Sequence, residues 1–132
     1  MHIKALVLLC GLAVSCAPPV TIDVSVSEGP RPEISFDGGG VSTLQVYDMP
    51  GEDVEPFCAP LGDGVSPRYF WSIRAAGNGL SSPIAYGLLP NDAIADQDET
   101  RPLIAGSAVC VAVIRTNDSG YPAEMGTAVF TP

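Results

Sequence analysis

The sequence predicts an all-β protein, an antiparallel β-sandwich of about seven short strands. Several segments alternate apolar with polar side chains, the pattern of strands that turn one face toward a core. Thirteen prolines and fourteen glycines punctuate the chain, and no segment has the period of an amphipathic helix. Many short strands separated by turns are typical of a sandwich, in which two sheets bury a common core.

Three strands are predicted in the first half of the chain. They are residues 20–26, Glu33–Phe36 and 42–48. Turn-forming residues at 28–32 and 37–40 separate them. Leu44 and Val46 fall on the same face of the third strand because side chains alternate along a strand. A polar stretch, residues 49–67, follows this strand.

Four further strands are predicted in the second half. They are Arg68–Ala75, 83–87, 108–116 and 124–131. Residues 90–100 are expected to form an acidic loop, with one helical turn at most over 93–97. Residues 117–120 have the composition of a hairpin turn and lie between the last two strands.

The first sixteen residues have the pattern of a secretory signal. Lys4 precedes an apolar run, residues 5–14, and Ala13-Val14-Ser15 leads directly to Cys16. This stretch resembles the lipobox of bacterial lipoproteins. The resemblance implies that Cys16 carries acyl chains such as palmitate and begins the mature chain. The alternative is an ordinary signal peptide cut near Ala17.

The resemblance also implies a location and a domain organisation. Residues 1–15 would be removed, 16–19 would form a lipidated tether, and 20–132 would form one domain. The apolar run is about half the roughly 20 residues that a membrane span needs. Because Ala17 and not Asp follows Cys16, the resemblance implies the outer membrane of the bacterial cell envelope. The membrane, through the acyl chains, is therefore the expected partner.

Cleavage before Cys16 would remove the only histidine, His2, and the only lysine, Lys4. The mature chain then has five arginines against fifteen acidic residues, which disfavours nucleic acid as a partner. Salt adaptation or a GC-rich genome also produces acidic chains without lysine, so the charge need not be functional. Without histidine or lysine, histidine-based triads, histidine-ligated metals and Schiff bases are excluded. We therefore expect no cofactor and no enzyme, an enzyme with a carboxylate pair being the remaining catalytic alternative.

Two cysteines, Cys58 and Cys110, remain after cleavage and acylation. In an oxidising compartment two such residues indicate one disulfide. It would close a loop of roughly 50 residues and stabilise the fold by about 4 kcal/mol in the chain-entropy model. Two free thiols or a soft-metal pair are the alternatives.

Residues 102–113 resemble the corner and penultimate strand of fibronectin type III-like domains, with Leu103, Gly106 and alternating valines. In this register, Val109, Val111 and Val113 would face the core and Cys110 would face outward. Val109 stands where that family has its corner tyrosine. The order Cys58, Trp71, Cys110 resembles immunoglobulin domains instead, and that alternative register would place Cys110, Ala112 and Ile114 inside.

Two groups of side chains are candidate contact sites. Alternation puts Tyr69 and Trp71 on one face of their strand and Phe70 on the other. We expect Trp71 in the core, and Tyr69 or Tyr86 at the rim as contact residues. A weaker candidate is a calcium site formed by clustered carboxylates, for which a solvated acidic loop is the alternative. These carboxylates are Asp92, Asp96, Asp98 and Glu99.

The function expected from these features is that of a non-catalytic, lipid-anchored envelope domain with a structural or protein-interaction role. An envelope protein would be its partner. The alternative is a ligand-binding module for carbohydrate or calcium on the same anchor.

Overall fold

The computed structural model describes residues 19–29, 31–48, 68–97 and 100–132. These residues form two antiparallel sheets, with strand orders β1-β2-β5 and β6-β4-β3-β7-β8. The strands are β1 (Val24–Val26), β2 (Glu33–Phe36), β3 (Thr43–Asp48), β4 (Arg68–Ala75), β5 (Ile84–Ala85), β6 (Ala93–Ala95), β7 (Val109–Thr116) and β8 (Pro122–Phe130). The predicted antiparallel β-sandwich is confirmed, with eight strands in the described residues rather than about seven. No helix in this part of the chain is long and apolar enough to cross a membrane.

One apolar core lies between the two sheets. It contains side chains of β2 from one sheet and of β3, β4 and β7 from the other. Val109, Val111 and Val113 all lie in this core, so the predicted inward face of β7 is confirmed. The immunoglobulin-like register is wrong, because Cys110 and Ala112 belong to a separate cluster on the opposite face of the sheet.

A β-bulge in β4 changes the faces that its aromatic residues occupy. Val46 of β3 pairs with Trp71, but the next residue, Tyr47, pairs with Tyr69, so Phe70 is the extra residue. Phe70 and Trp71 therefore both enter the inter-sheet core, and Tyr69 packs on the outer face. The prediction that Trp71 is buried is confirmed. The prediction that Tyr69 and Trp71 share a face is wrong, because the bulge interrupts the two-residue alternation.

The segment 90–100 is not only a loop, because it contains the short strand β6. Ala93–Ala95 pairs with the last residues of β4 and extends the five-stranded sheet at its edge. One backbone hydrogen bond closes each end of this pairing. The Ala76 N–H donates to the Asp92 carbonyl, and the Asp96 N–H donates to the Ser72 carbonyl. The sequence allowed one helical turn at most over 93–97, and the structure has the strand β6 there instead. Pairing with the backbone of β4 stabilises the extended conformation of Ala93–Ala95. The three residues of this strand, Ala-Ile-Ala, do not predict a strand by themselves.

The N-terminal segment connects the two sheets. Val20 pairs in parallel with Met125 of β8, and the N–H groups of Thr21 and Ile22 donate to the Met125 carbonyl. The chain then leaves β8, and β1 pairs with β2 in the other sheet. Ile22 is buried in the inter-sheet core at this crossing. The predicted strand 20–26 is thus divided between two sheets.

The crossing requires glycine at position 126. A Cβ atom there would lie 2.2 Å from the Ile22 carbonyl oxygen and 2.7 Å from a methyl carbon of Val24. No real Cβ atom approaches other atoms so closely, and the Ile22 contact is with backbone, which cannot rotate away. The neighbours of Gly126 therefore exclude any side chain, although glycine is otherwise a poor strand residue.

The sandwich has two ends with different loops. The proximal end carries the loop 37–40, the loop 76–79 and the hairpin turn 117–121, which precedes β8. The distal end carries residues 27–29, 31–32 and 101–107, and the Gly106 N–H there donates to the Pro132 carbonyl.

We predict that Gly126→Ala destabilises the fold by about 3 kcal/mol, the upper part of the range for overpacking a core. The reason is the close approach of the Ile22 backbone. Gly77→Ala is the control, because a Cβ atom at Gly77 meets nothing within 4 Å. It should change the free energy of unfolding by less than about 1 kcal/mol. Urea unfolding followed by Trp71 fluorescence measures both. Equal effects of the two substitutions would contradict the tight crossing.

Candidate functional site

The predicted site residues do not converge on one place. Cys16, Cys58, Asp98 and Glu99 lie outside the described residues. Cys110 and Tyr69 lie on the outer face of the five-stranded sheet. Tyr86 lies at the distal end, and Asp92 and Asp96 flank β6.

The outer-face cluster is formed by Tyr47, Cys110 and Ala112, with Tyr69 half-buried against them. The rings of Tyr47 and Tyr69 meet edge to face with centroids 6.2 Å apart. Burial, and secondarily the neighbouring Tyr69, raises the pKa of Tyr47 to about 12. Cys110 is not a free thiol. Because Cys58 lies outside the described residues, the Cys58–Cys110 pairing stays a prediction.

A cleft at the distal end has Tyr86 in its wall. Its volume is about 620 Å³, and its described lining is Gly29, Pro32, Tyr86, Pro102, Leu103, Ala105 and Pro132. This described lining includes no charged side chain. Size and apolar character are those of small-molecule and peptide sites.

Tyr86 is held in place on both its ring and its hydroxyl. The ring meets Trp71 edge to face with centroids 5.5 Å apart. The hydroxyl donates a hydrogen bond to the Arg101 carbonyl. Burial raises the pKa of Tyr86 to about 12. Tyr86 therefore connects the loop 101–107 to the core and offers the cleft only part of its surface.

The acidic candidates near β6 have neighbours of their own. Asp96 accepts a hydrogen bond from the Ser72 hydroxyl at 3.0 Å and forms an ion pair with Arg74 at 3.2 Å. Asp92 is exposed. Among the described residues, no group of three or more His, Cys, Asp or Glu side chains is close enough to hold a metal ion. The described contacts of Asp96 are therefore those of a sheet-edge residue.

Arg115 organises the proximal end, which sequence reasoning missed. Its guanidinium donates to the carbonyls of Asp37, Gly39 and Gly40 at 2.9–3.1 Å. It also forms an ion pair with Glu124 at 3.1 Å, and Glu124 accepts a hydrogen bond from the Thr21 hydroxyl. The loop 37–40, the β7–β8 hairpin and the N-terminal segment are thus joined through one side chain, which is only 19% exposed.

The glycine-rich loop has a backbone that fits this guanidinium. Gly38 has φ of +80°, and a Cβ atom there would lie 3.2 Å from an Nη atom of Arg115. The sequence contained a signal for this contact, since Arg115 is the one charged residue in an otherwise apolar or neutral strand. Nothing in the sequence identified the carbonyls it would reach, because they lie more than 70 residues away.

Tyr121 is a second feature that sequence reasoning missed. Its side chain is 70% exposed, the highest value among the exposed large hydrophobic residues of the described chain. Its backbone is held firmly: its N–H donates to the Asn117 side-chain oxygen, and its carbonyl accepts from the Asn117 N–H. The sequence did contain a sign of this exposed residue, because Tyr121 directly follows the predicted hairpin turn 117–120.

Comparison of the chain with protein-family models, with curated proteins and with solved structures finds no match in any of the three.

We predict that Arg115→Lys lowers the free energy of unfolding by about 2 kcal/mol, because a lysine loses the planar fork that reaches three carbonyls and a carboxylate. Arg74→Lys is the matched control. Arg74 forms an ion pair but is 60% exposed, so its replacement should cost less than about 0.5 kcal/mol. Urea titration measures both. The network would have no stabilising role if Arg115→Lys behaved like the control.

We predict that stability falls as the pH rises from 10 toward 12. Burial raises the pKa of Tyr86 from 10.0 to about 12, so in this window the unfolded phenol ionises while the folded phenol keeps its proton. The unfolded state then binds fewer protons, and the free energy of unfolding decreases with pH. Tyr86→Phe should make this alkaline slope shallower, although it lowers stability at neutral pH. Urea titrations at a series of alkaline pH values test this, and an unchanged slope would contradict it.

Proposed function

We propose that the protein is a non-catalytic, lipid-anchored domain of the bacterial cell envelope that makes structural or protein–protein contacts close to the membrane. The observation that carries this proposal is the position of Cys16, directly after a stretch with the pattern of a secretory signal and three residues before the first described residue, Pro19. Pro19 already belongs to the folded domain, because its carbonyl accepts a hydrogen bond from the Met125 N–H.

The short tether supports a role at the membrane surface itself. Three residues span at most about 11 Å when fully extended. A domain that must reach a distant partner needs a long linker, and this chain has none between Cys16 and Pro19. The proposed partner is therefore another envelope component in the same membrane layer.

The non-catalytic part of the proposal follows from the side chains available. The mature chain would lack histidine and lysine. Several described carboxylates already have neutralising or hydrogen-bonding neighbours: Asp96 with Arg74, Glu124 with Arg115, and Asp37 with the Asp23 N–H. Such contacts are those of structural carboxylates.

The distal cleft favours a second candidate, a ligand-binding module on the same anchor. Its volume of about 620 Å³ falls in the range of small-ligand sites, and Tyr86 supplies an aromatic wall. A carbohydrate ring or an apolar peptide segment fits that lining better than a metal ion does, because the described lining has no carboxylate side chain.

The anchor is tested by the intact mass of the protein extracted from its native membrane. We expect the mass of residues 16–132 plus acyl chains, and two alkylatable thiols, Cys58 and Cys110, only after reduction. Cys16→Ser should abolish acylation and release the protein from the membrane fraction, because more than one acyl chain anchors stably. Cys10→Ser, inside the signal, is the control and should change neither result. An unacylated wild-type chain would refute the lipid anchor, and thiols reactive before reduction would refute the disulfide.

A further inference from the structure

The N-terminal segment runs alongside β8 in the same direction. Val20 pairs in parallel with Met125, and hydrogen bonds join Pro19, Thr21 and Ile22 to that residue. Because the pairing is parallel, the chain runs from Pro19 to Val20 in the direction of β8, and Pro19 lies on the side of Val20 toward which β8 begins. That side is the proximal end, with the hairpin turn 117–121.

The length of the tether determines which end of the domain can face the membrane. Cys16 lies four residues before Val20, and Tyr121 lies four residues before Met125, the partner of Val20. A fully extended tether, about 14 Å long, therefore extends no further than the level of Tyr121. Phe130, near the distal end, lies about 17 Å from Met125 in the opposite direction, so Cys16 cannot reach its level by any path.

We propose that the proximal end lies against the lipid surface, with Tyr121 in the headgroup layer. This inference depends on the proposed acylation of Cys16. If the acyl chains begin at Cys16, the tether is too short to hold the hairpin away from the bilayer.

Tyr121 has the chemistry and the rigidity for this contact. Tyrosine is enriched at membrane–water interfaces because its ring is apolar and its hydroxyl stays hydrated. The side chain is 70% exposed, and the Asn117 side chain fixes the turn by accepting from the Ser119 and Tyr121 N–H groups. The ring therefore projects from an ordered turn, which lowers the entropic cost of contact.

The charges near the hairpin limit this contact to the headgroup layer. Arg115 neutralises Glu124, but Asp118 in the turn is exposed. A free carboxylate is costly in hydrocarbon and is repelled by anionic headgroups. Contact should therefore be shallow, and it should be stronger on vesicles that contain less anionic lipid.

Tryptophan replacements at the two ends test the orientation. Tyr121→Trp reports on the proximal end, and Ile104→Trp, at a residue that is 59% exposed, reports on the distal end. Each full-length variant is expressed with its signal, extracted from the native membrane and reconstituted in phosphatidylethanolamine vesicles with brominated phosphatidylcholine. Trp71 is buried and contributes the same background to both variants. Intact mass confirms acylation in each sample.

We expect the bromine atoms to quench the emission of Tyr121→Trp partially, as suits a ring above the acyl chains, with a shift to shorter wavelength, and to leave Ile104→Trp unchanged. Strong quenching of Ile104→Trp, or no quenching of Tyr121→Trp, in an acylated and vesicle-bound sample would overturn the orientation while leaving the anchor intact. An unacylated mass would instead refute the anchor and, with it, this inference. Tyr121→Ser should fold like the wild type, with an unchanged urea midpoint, because the side chain makes no core contact.

Discussion

The structure depends on one crossing, where the N-terminal segment passes from the five-stranded sheet to the three-stranded sheet over Gly126. The segment binds β8 at Met125 and then pairs with β2, so one stretch of chain carries backbone hydrogen bonds to both sheets. Ile22 enters the core at this point. The absence of a side chain at Gly126 allows the Ile22 backbone to approach closely. The chain also passes between the sheets from β2 to β3, from β4 to β5 and from β5 to β6. The crossing over Gly126 determines where the first described residues join the domain.

Two local features, a β-bulge and an arginine side chain, complete the sandwich around that crossing. The bulge at Phe70 gives β4 two consecutive core aromatics and places Tyr69 beside Tyr47 and Cys110 on the outer face. Arg115 closes the proximal end by joining a loop, a hairpin and the N-terminal segment. The bulge increases apolar burial between the sheets. Arg115 supplies hydrogen bonds to loop carbonyls that have no strand partner. The proximal end is thus held by polar contacts, and the distal end opens into an apolar cleft.

The two ends suit the proposed role of a domain held at a membrane. The proximal end is compact, with an ordered turn that presents Tyr121. The distal end carries the cleft lined by Tyr86 and Leu103, with the exposed Ile104 nearby. If the tether places the proximal end on lipid, the distal cleft points away from the membrane and is accessible to another envelope component. The acidic surface then keeps the rest of the domain hydrated and away from anionic headgroups.

Local periodicity in the sequence determined much of the fold, because each half-buried strand repeats every two residues whatever its neighbours are. The bounds of β2 and β4 and the inward face of Val109, Val111 and Val113 followed from that pattern. The prediction of a lipid anchor likewise needs only the first sixteen residues. Pairing between distant segments decided the rest: the bulge that moved Phe70, the strand β6, and the carbonyls bound by Arg115. These features, and the exposure of Tyr121, depend on backbone groups brought together only by the tertiary fold, so no local pattern could predict them.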